Sequence, residues 1–382
     1  MMSYTIVIKT LFGLEDILKS ELEDLGILNI EVLNRAVQFQ GSLSDVYKCN
    51  LYLRTALNVL VKIKSGKISN QNQLYEFVKK VQWWDYFDYK NSISVNSVSN
   101  SKQLNHTLFV SQKTKDGIAD AFRDKFGLRP SVDTKNPDIK VQVHIIDDFC
   151  SLYLDSTGRP LYIRGFDKRI GDASINEVLA AGIIKLSDWN KKDCFYDPMC
   201  GSGTFLTEAY MYATNIPAGF FRDDFCFTNW NNYNVEIWTK LHEKAKREII
   251  QPEAMIIGSD IDKDSIKLAK ENLFKLSEKN NVKFVHKDFF DTTAPATNGI
   301  LITNPIYGKR LKTENINNFY KKIGDKLKFE YTGFTTWIIS SDLTAIKLIG
   351  MKPDKKLQLF NGNLDCRLHK YSIYKGSKRN KA

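Results

Sequence analysis

The run Asn304-Pro305-Ile306-Tyr307-Gly308 follows directly on the apolar stretch 300–303. Its residue types suggest a reaction. The amide oxygen of Asn304 and the carbonyl of Pro305 can each accept one hydrogen of an aromatic amine, while Tyr307 stacks on the ring that carries it. Two such hydrogen bonds turn the nitrogen lone pair out of conjugation and aim it at an electrophile. The chemistry is group transfer to an exocyclic amine, driven by orientation and electrostatics rather than by a nucleophilic side chain. A Pro-centred turn after a strand would account for an isolated tetrapeptide equally well, so its neighbours decide.

Upstream, Asp197-Pro198-Met199-Cys200-Gly201-Ser202-Gly203-Thr204 sits between a short apolar strand and a helix that begins near Thr204. Glycines there let the backbone turn tightly and bring amide groups to a ligand at a helix N-terminus. A dinucleotide fingerprint would need Gly where Leu206 stands, and no Gly-Lys-Ser/Thr follows as a phosphate loop requires. A purely structural turn would not need the Asp-Pro before the glycines. Asp260 ends the stretch 255–259, and Asp288 follows 282–285. Carboxylates at the ends of successive strands place acceptors along one crevice of a doubly wound sheet, which favours a ribose-and-adenine site. Either Asp alone would more often cap a helix or a turn.

These residues must be positioned by elements that the periodicity marks out. The opening strand 5–9 precedes a helical pattern through Leu14, Ile17, Leu18, Leu22 and Leu25. A second helix is predicted over 46–61 from Val46, Leu53, Leu57 and Leu60. Alternation over 92–98 predicts a half-buried strand, and a helix over 115–126 stops at Gly127. Strands follow over 140–146 and 150–154, joined at Asp147 and Asp148, and the turn 155–160 marks a domain boundary. Beyond it, apolar strands over 194–196, 255–259, 282–285, 300–303 and 336–340 alternate with helices, as in a parallel α/β sheet. Asn361-Gly362-Asn363 between apolar runs over 356–360 and 366–374 predicts a closing antiparallel hairpin. The interval 215–238 is rich in aromatic residues, either core or a surface for donor or RNA.

The chain has 382 residues, long enough for two or three domains, and its net charge of +11 points to an acidic partner, nucleic acid foremost. No apolar run of membrane-spanning length and no signal-peptide pattern occur, so a cytoplasmic location and no membrane partner are expected. Six dispersed cysteines without a CxxC pair fit reduced thiols, and no metal site is expected.

The chain resembles the THUMP-containing class I RNA methyltransferases, similar to the bacterial large-subunit (23S) rRNA guanine-N2 enzymes. In the front half the resemblance rests on LFGLEDILKSELEDLG, LYLRTALNVLVKI and VDTKNPDIKVQVHI. In the back half it rests on LYIRGFDKR, INEVLAAGII, DPMCGSGTFLTEA, NIPAGFFRDDF, GSDID, NPIYGKRL and LFNGNLDC. It implies an α/β Rossmann-like methyltransferase domain over 161–378, with a parallel sheet and a C-terminal antiparallel hairpin. Ahead of it would lie a ferredoxin-like α+β domain over 1–60 and a THUMP RNA-binding domain over 61–157. S-adenosylmethionine would be the donor. Asp197, Cys200, Gly201, Gly203 and Thr204 would line its methionine and ribose region, Asp260 its ribose hydroxyls and Ile261 its adenine face, with Asp288 and Phe289 at the adenine edge. Asn304, Pro305 and Tyr307 match the family's Asn-Pro-Pro-Tyr loop, with Lys309 and Arg310 behind it. Ile306 departs from that pattern by replacing the second proline, and Asp172-Ala173-Ser174 departs from a small-Pro-Leu run. The implied substrate is guanine N2 in 23S rRNA or a ribosome assembly intermediate. Alternatives are guanine N2 of tRNA, adenine N6 of DNA, and a non-catalytic RNA-binding assembly factor.

Overall fold

The computed structural model describes residues 3–166, 175–278, 280–305 and 313–375. The chain divides into two units that are discontinuous in sequence. The first comprises Met1–Thr10, Lys19–Leu161 and Gly219–Lys244, and the second Leu11–Leu18, Tyr162–Ala218 and Ala245–Ala382.

In chain order the front elements are β1 (Tyr4–Thr10), α1 (Glu15–Asp24), β2 (Glu31–Leu33), β3 (Ala36–Gly41), α2 (Leu43–Tyr52), β4 (Ala56–Lys67), α3 (Gln71–Lys79), β5 (Ser92–Asn100), α4 (Thr107–Phe126), β6 (Ser131–Val132), β7 (Ile139–Ile146) and β8 (Phe149–Asp155). All eight strands join one sheet, ordered β2-β3-β1-β4-β8-β7-β5-β6. The helix expected over 46–61 is a correction: α2 stops at Tyr52, Leu53 turns extended, and β4 begins at Ala56. There β-branched Val59, Val61 and Ile63 favour strand, and β4 is buried between β1 and β8. Leu57 and Leu60 read as one helix face only because a strand buried on both sides is apolar almost continuously. Helix α4 ends as expected at Gly127, at φ +71°, but starts earlier than 115, where the His106 ring accepts a hydrogen bond from the Phe109 amide.

The aromatic interval is core in this unit. Phe227 lies 4.6 Å from Tyr47 and 5.1 Å from Trp238, ring to ring, and the Asn234 amide donates to the Tyr47 hydroxyl at 2.9 Å. Buried Arg222 donates to the carbonyls of Arg159 and Pro160, fixing the turn that follows β8. Rings of this size, closed around a satisfied tyrosine, are a packing centre rather than a ligand surface.

The second unit continues with α5 (Glu177–Leu186), β9 (Cys194–Asp197), α6 (Thr204–Ala213), the last residues of α7 (Val235–Arg247), whose first ten belong to the first unit, β10 (Ile256–Asp260), α8 (Lys263–Leu276), β11 (Lys283–His286), β12 (Gly299–Thr303), α9 (Thr313–Glu330), β13 (Phe334–Ser340), β14 (Lys355–Asn361) and β15 (Leu364–Ser372). Its seven-stranded sheet is ordered β11-β10-β9-β12-β13-β15-β14. The first five strands run parallel, β15 is antiparallel to β13, and β14 pairs with β15 across Gly362 at φ +61°. The α/β class with an antiparallel finish is therefore as the pattern predicts. Ile316, Tyr320, Ile323 and Leu327 of α9 pack with Leu301, Phe334 and Ile338 into the core that holds β12 in place.

Candidate active site

Because β11, β10, β9 and β12 are neighbours and parallel, their carboxyl ends share one edge. Asp288 after β11, Asp260 ending β10, Asp197 ending β9 and Asn304 after β12 lie along that edge in that order. The loops span three strand spacings, about 14 Å.

The glycine loop turns because two of its residues occupy the left-handed region, Gly201 at φ +53° and Gly203 at φ +84°. At Gly203 a β-carbon would come within 2.9 Å of the Ala269 β-carbon, so the residue also lets α6 approach α8. At Gly201 a β-carbon would meet nothing within 4 Å, which makes the bare backbone here a cradle open to a ligand. Asp260 holds the loop, accepting from the Gly201 amide at 2.8 Å and the Asp262 amide at 2.9 Å. No side chain caps the N-terminus of α6, and Thr204 is its half-buried first residue. First-turn amides remain for an acceptor.

Asp197 is buried, 1% exposed. Burial, and then the negative charge of Asp260, push its carboxyl up to about 8, against the Met199 amide and the Thr303 hydroxyl, which lower it. A nearby cation would favour the ionised form of this buried carboxyl, so the position suits a positively charged group arriving from outside. Cys200 has a different position: its thiol is buried, pushed well above its ordinary value by burial, and would lie 3.1 Å from a β-carbon at Gly258. It packs under the loop.

At the other end, Ile261 is an aliphatic side chain 62% exposed, directly after Asp260. Its carbonyl lies 2.9 Å from the His286 ring. Half-buried Asp288 caps the 3₁₀ turn Phe289–Asp291 by accepting from the Phe290 amide at 3.0 Å. The Phe289 ring is buried, 5.6 Å from Tyr331, which leaves that residue's backbone rather than its ring to meet a ligand. Asn304 is half-buried and Pro305 buried, right after β12. Tyr307, Ile306, Lys309 and Arg310 lie outside the described residues, as do Asp172, Ala173 and Ser174.

Three contributors escaped the sequence reading. Asn272, buried on α8, donates to the Ser202 carbonyl at 3.2 Å and supports the glycine loop. Arg164 and Glu208 form a fully buried bidentate pair, with contacts of 2.8 and 3.2 Å, that ties the entry to this unit onto α6. Charged residues inside otherwise apolar text, LYIRG and TFLTEAY, were the available signal. Among the described residues no group of His, Cys, Asp or Glu is placed to hold a metal ion, no helix is long and apolar enough to cross a membrane, and the six cysteines are buried free thiols.

Residues 164–370 match the model of the RMKL-like methyltransferase domain, 69–155 that of the THUMP domain, and 5–60 that of the ferredoxin-like domain of RlmL. The Synechocystis protein slr0064, provisionally named an RNA methyltransferase, is 36% identical over 366 residues, 95% of this chain and 95% of its own. Ribosomal RNA large subunit methyltransferase K/L of Psychromonas ingrahamii is 34% identical over 380 residues, 98% of this chain and 50% of its own. The chain thus spans about half the length of the K/L relatives. Among solved structures, SMU.472, provisionally named a methyltransferase and crystallised with S-adenosylhomocysteine, superposes with a TM-score of 0.88 at 28% identity, covering 99% of this chain and 100% of its own.

Proposed function

Since the chain belongs to the RMKL-like methyltransferases that carry a THUMP domain, we propose that it methylates the exocyclic N2 of guanine in large-subunit (23S) ribosomal RNA. The cofactor of this methyltransferase is S-adenosylmethionine, which supplies an electrophilic methyl on a sulfonium. The observation that carries the reading is the shared edge: the open Gly201 cradle, Asp260 and Ile261 on one side of β9, and Asn304 with Pro305 on the other.

Each residue then has a task. Asp197 and the glycine loop, Gly201 to Thr204 over the packed Cys200, receive the methionine end, Asp260 the ribose, Ile261 the adenine face, and Asp288 with the Phe289 backbone the adenine edge. Asn304 and the Pro305 carbonyl accept the two hydrogens of the guanine amine, and Tyr307 stacks on the base. The base must leave its stack, at a cost of a few kcal/mol that contacts elsewhere offset. We assign those contacts to the ferredoxin-like region 1–60 and the THUMP region 61–157, with the chemistry in 161–378, in a cytoplasmic enzyme whose net charge of +11 suits RNA.

The test is nucleoside mass spectrometry of rRNA and tRNA from cells lacking the protein, with Asn304→Ala as complement. Loss of N2-methylguanosine from large-subunit rRNA, unrestored by Asn304→Ala, is expected. Loss from tRNA alone would move the substrate to tRNA, and loss from neither pool would overturn the proposal.

A further inference from the structure

At the far side of the catalytic sheet, the hairpin β14–β15 and the 3₁₀ turn Ala345–Ile349 enclose a cavity of about 270 Å³ that the cofactor site does not use. Its floor is aliphatic, from Leu343 and Ile346, and its wall is cationic, from Lys347, Lys356 and Arg367, with His369 among them. Both lysines are exposed, and among the described residues neither forms an ion pair. Arg367 is anchored by Asp365, which fixes the direction of its guanidinium.

His369 is buried, and burial followed by the charges of Lys356 and Arg367 pushes its imidazole down to about 4, so the ring is neutral at physiological pH. Its Nδ1 lies 3.0 Å from the Tyr371 hydroxyl. When that hydroxyl donates, Nε2 carries the ring proton and is a neutral donor for an anion.

The cavity is placed by register. Thr303, just before Asn304, pairs with Ile338, and Ser340, two residues on, pairs with Arg367. Arg367 therefore stands level with the Asn304–Pro305 end of β12, two strand spacings or about 10 Å along the sheet. Across β14, Lys356 pairs with His369, which brings the second cation to the same wall.

We propose that this cavity is a nucleotide subsite for the RNA strand. It holds a phosphodiester beside the target base through Lys347, Lys356 and Arg367, with the ribose or base of that nucleotide on Leu343 and Ile346. The proposal rests on RNA being the substrate. A free inorganic anion would use the cations but have no use for the aliphatic floor, and it would have no reason to bind level with the amine-accepting loop. By gripping the strand next to an unstacked base, the subsite offsets part of the cost of unstacking.

The full-length chain carrying Lys347→Gln and Lys356→Gln together is titrated with a single-stranded fragment of large-subunit rRNA by fluorescence anisotropy over a salt series. Lys267→Gln with Lys270→Gln, on the exposed side of α8, removes the same charge elsewhere. We expect the cavity pair to weaken binding on the order of tenfold and to lessen the slope of log K against log salt by about 0.7, the value for one phosphate contact on a single strand. The α8 pair should leave the slope as in the parent, and S-adenosylmethionine affinity by calorimetry should be unchanged in both. A parental slope in the cavity pair, or an equal loss in the α8 pair, overturns the subsite while leaving the RNA reading intact. A parent that binds no RNA overturns that reading and the subsite with it. If inorganic phosphate alone shifts the His369 ring resonances while the cavity pair binds RNA as the parent does, the site serves a free anion and the proposal fails.

Discussion

Asp197→Asn gives the most quantitative test of the cofactor site. In the ligand-free protein the buried carboxyl titrates near 8, so at pH 7 it keeps its proton about nine times in ten. A cationic methionine end placed next to it, as proposed, would favour the ionised form, and binding should then release nearly one proton at pH 7. The affinity that depends on Asp197 then rises about ninefold from pH 6 to 7, about fivefold from 7 to 8 and less than twofold from 8 to 9. The ligand's own amino group also titrates near pH 8, but it is common to parent and variant. The ratio of the two affinity profiles isolates Asp197. Isothermal calorimetry in buffers of different ionisation heat reads the proton directly: the parent's apparent enthalpy should change with buffer by nearly one proton's worth more than the variant's.

The same group makes a stability prediction. Folding raises this pKa above its unfolded value of 3.8, so the contribution is full below pH 4 and is lost as pH rises to 8, at up to about 1.4 kcal/mol per pH unit. Asp197→Asn should flatten that decline and melt higher than the parent at pH 8. Equal enthalpies across buffers, together with parallel melting profiles, would refute the assignment of a protonated Asp197.

Three further outcomes follow from the geometry. Gly203→Ala must hold φ +84° with a β-carbon 2.9 Å from Ala269; it should lose about 2 kcal/mol or more by denaturant titration, and cofactor affinity with it. Glu208→Leu alone removes the bidentate carboxylate partner of the buried Arg164 guanidinium and should cost about 3–5 kcal/mol, whereas Arg164→Met with Glu208→Leu should recover most of that loss. Asn304→Ala should bind S-adenosylmethionine as the parent does while methyl transfer falls by about 10²–10³, read in single-turnover assays with excess enzyme.

The strands of the catalytic unit were legible because each is a short apolar run ended by a residue of distinct chemistry: Asp197, Asp260, Asp288 or Asn304. Periodicity failed where burial on two faces erased alternation. Val59, Leu60 and Val61 in β4 are all buried, and spacing alone cannot tell such a run from a helix. It failed also at His106, whose ring rather than a hydroxyl or carboxylate caps α4. At the site, spacing revealed which residues end up along one edge but not what holds them. The contacts of Asp260 with the Gly201 amide and of Asn272 with the Ser202 carbonyl join positions 59 and 70 residues apart. The state of Asp197 depends on burial and on Asp260, neither of which has any trace in local text.

The excursion Gly219–Lys244 has a consequence for how the protein is made. The first unit is not finished when the ribosome has passed Leu161: Phe227, Tyr233 and Trp238, which surround Tyr47, and Arg222, which fixes the turn after β8, are still to come. Before they emerge, translation must run through β9, the glycine loop and α6, which belong to the second unit. The nascent chain therefore holds Tyr47 without its aromatic partners during that interval, and the first unit matures only after the glycine loop has been synthesised.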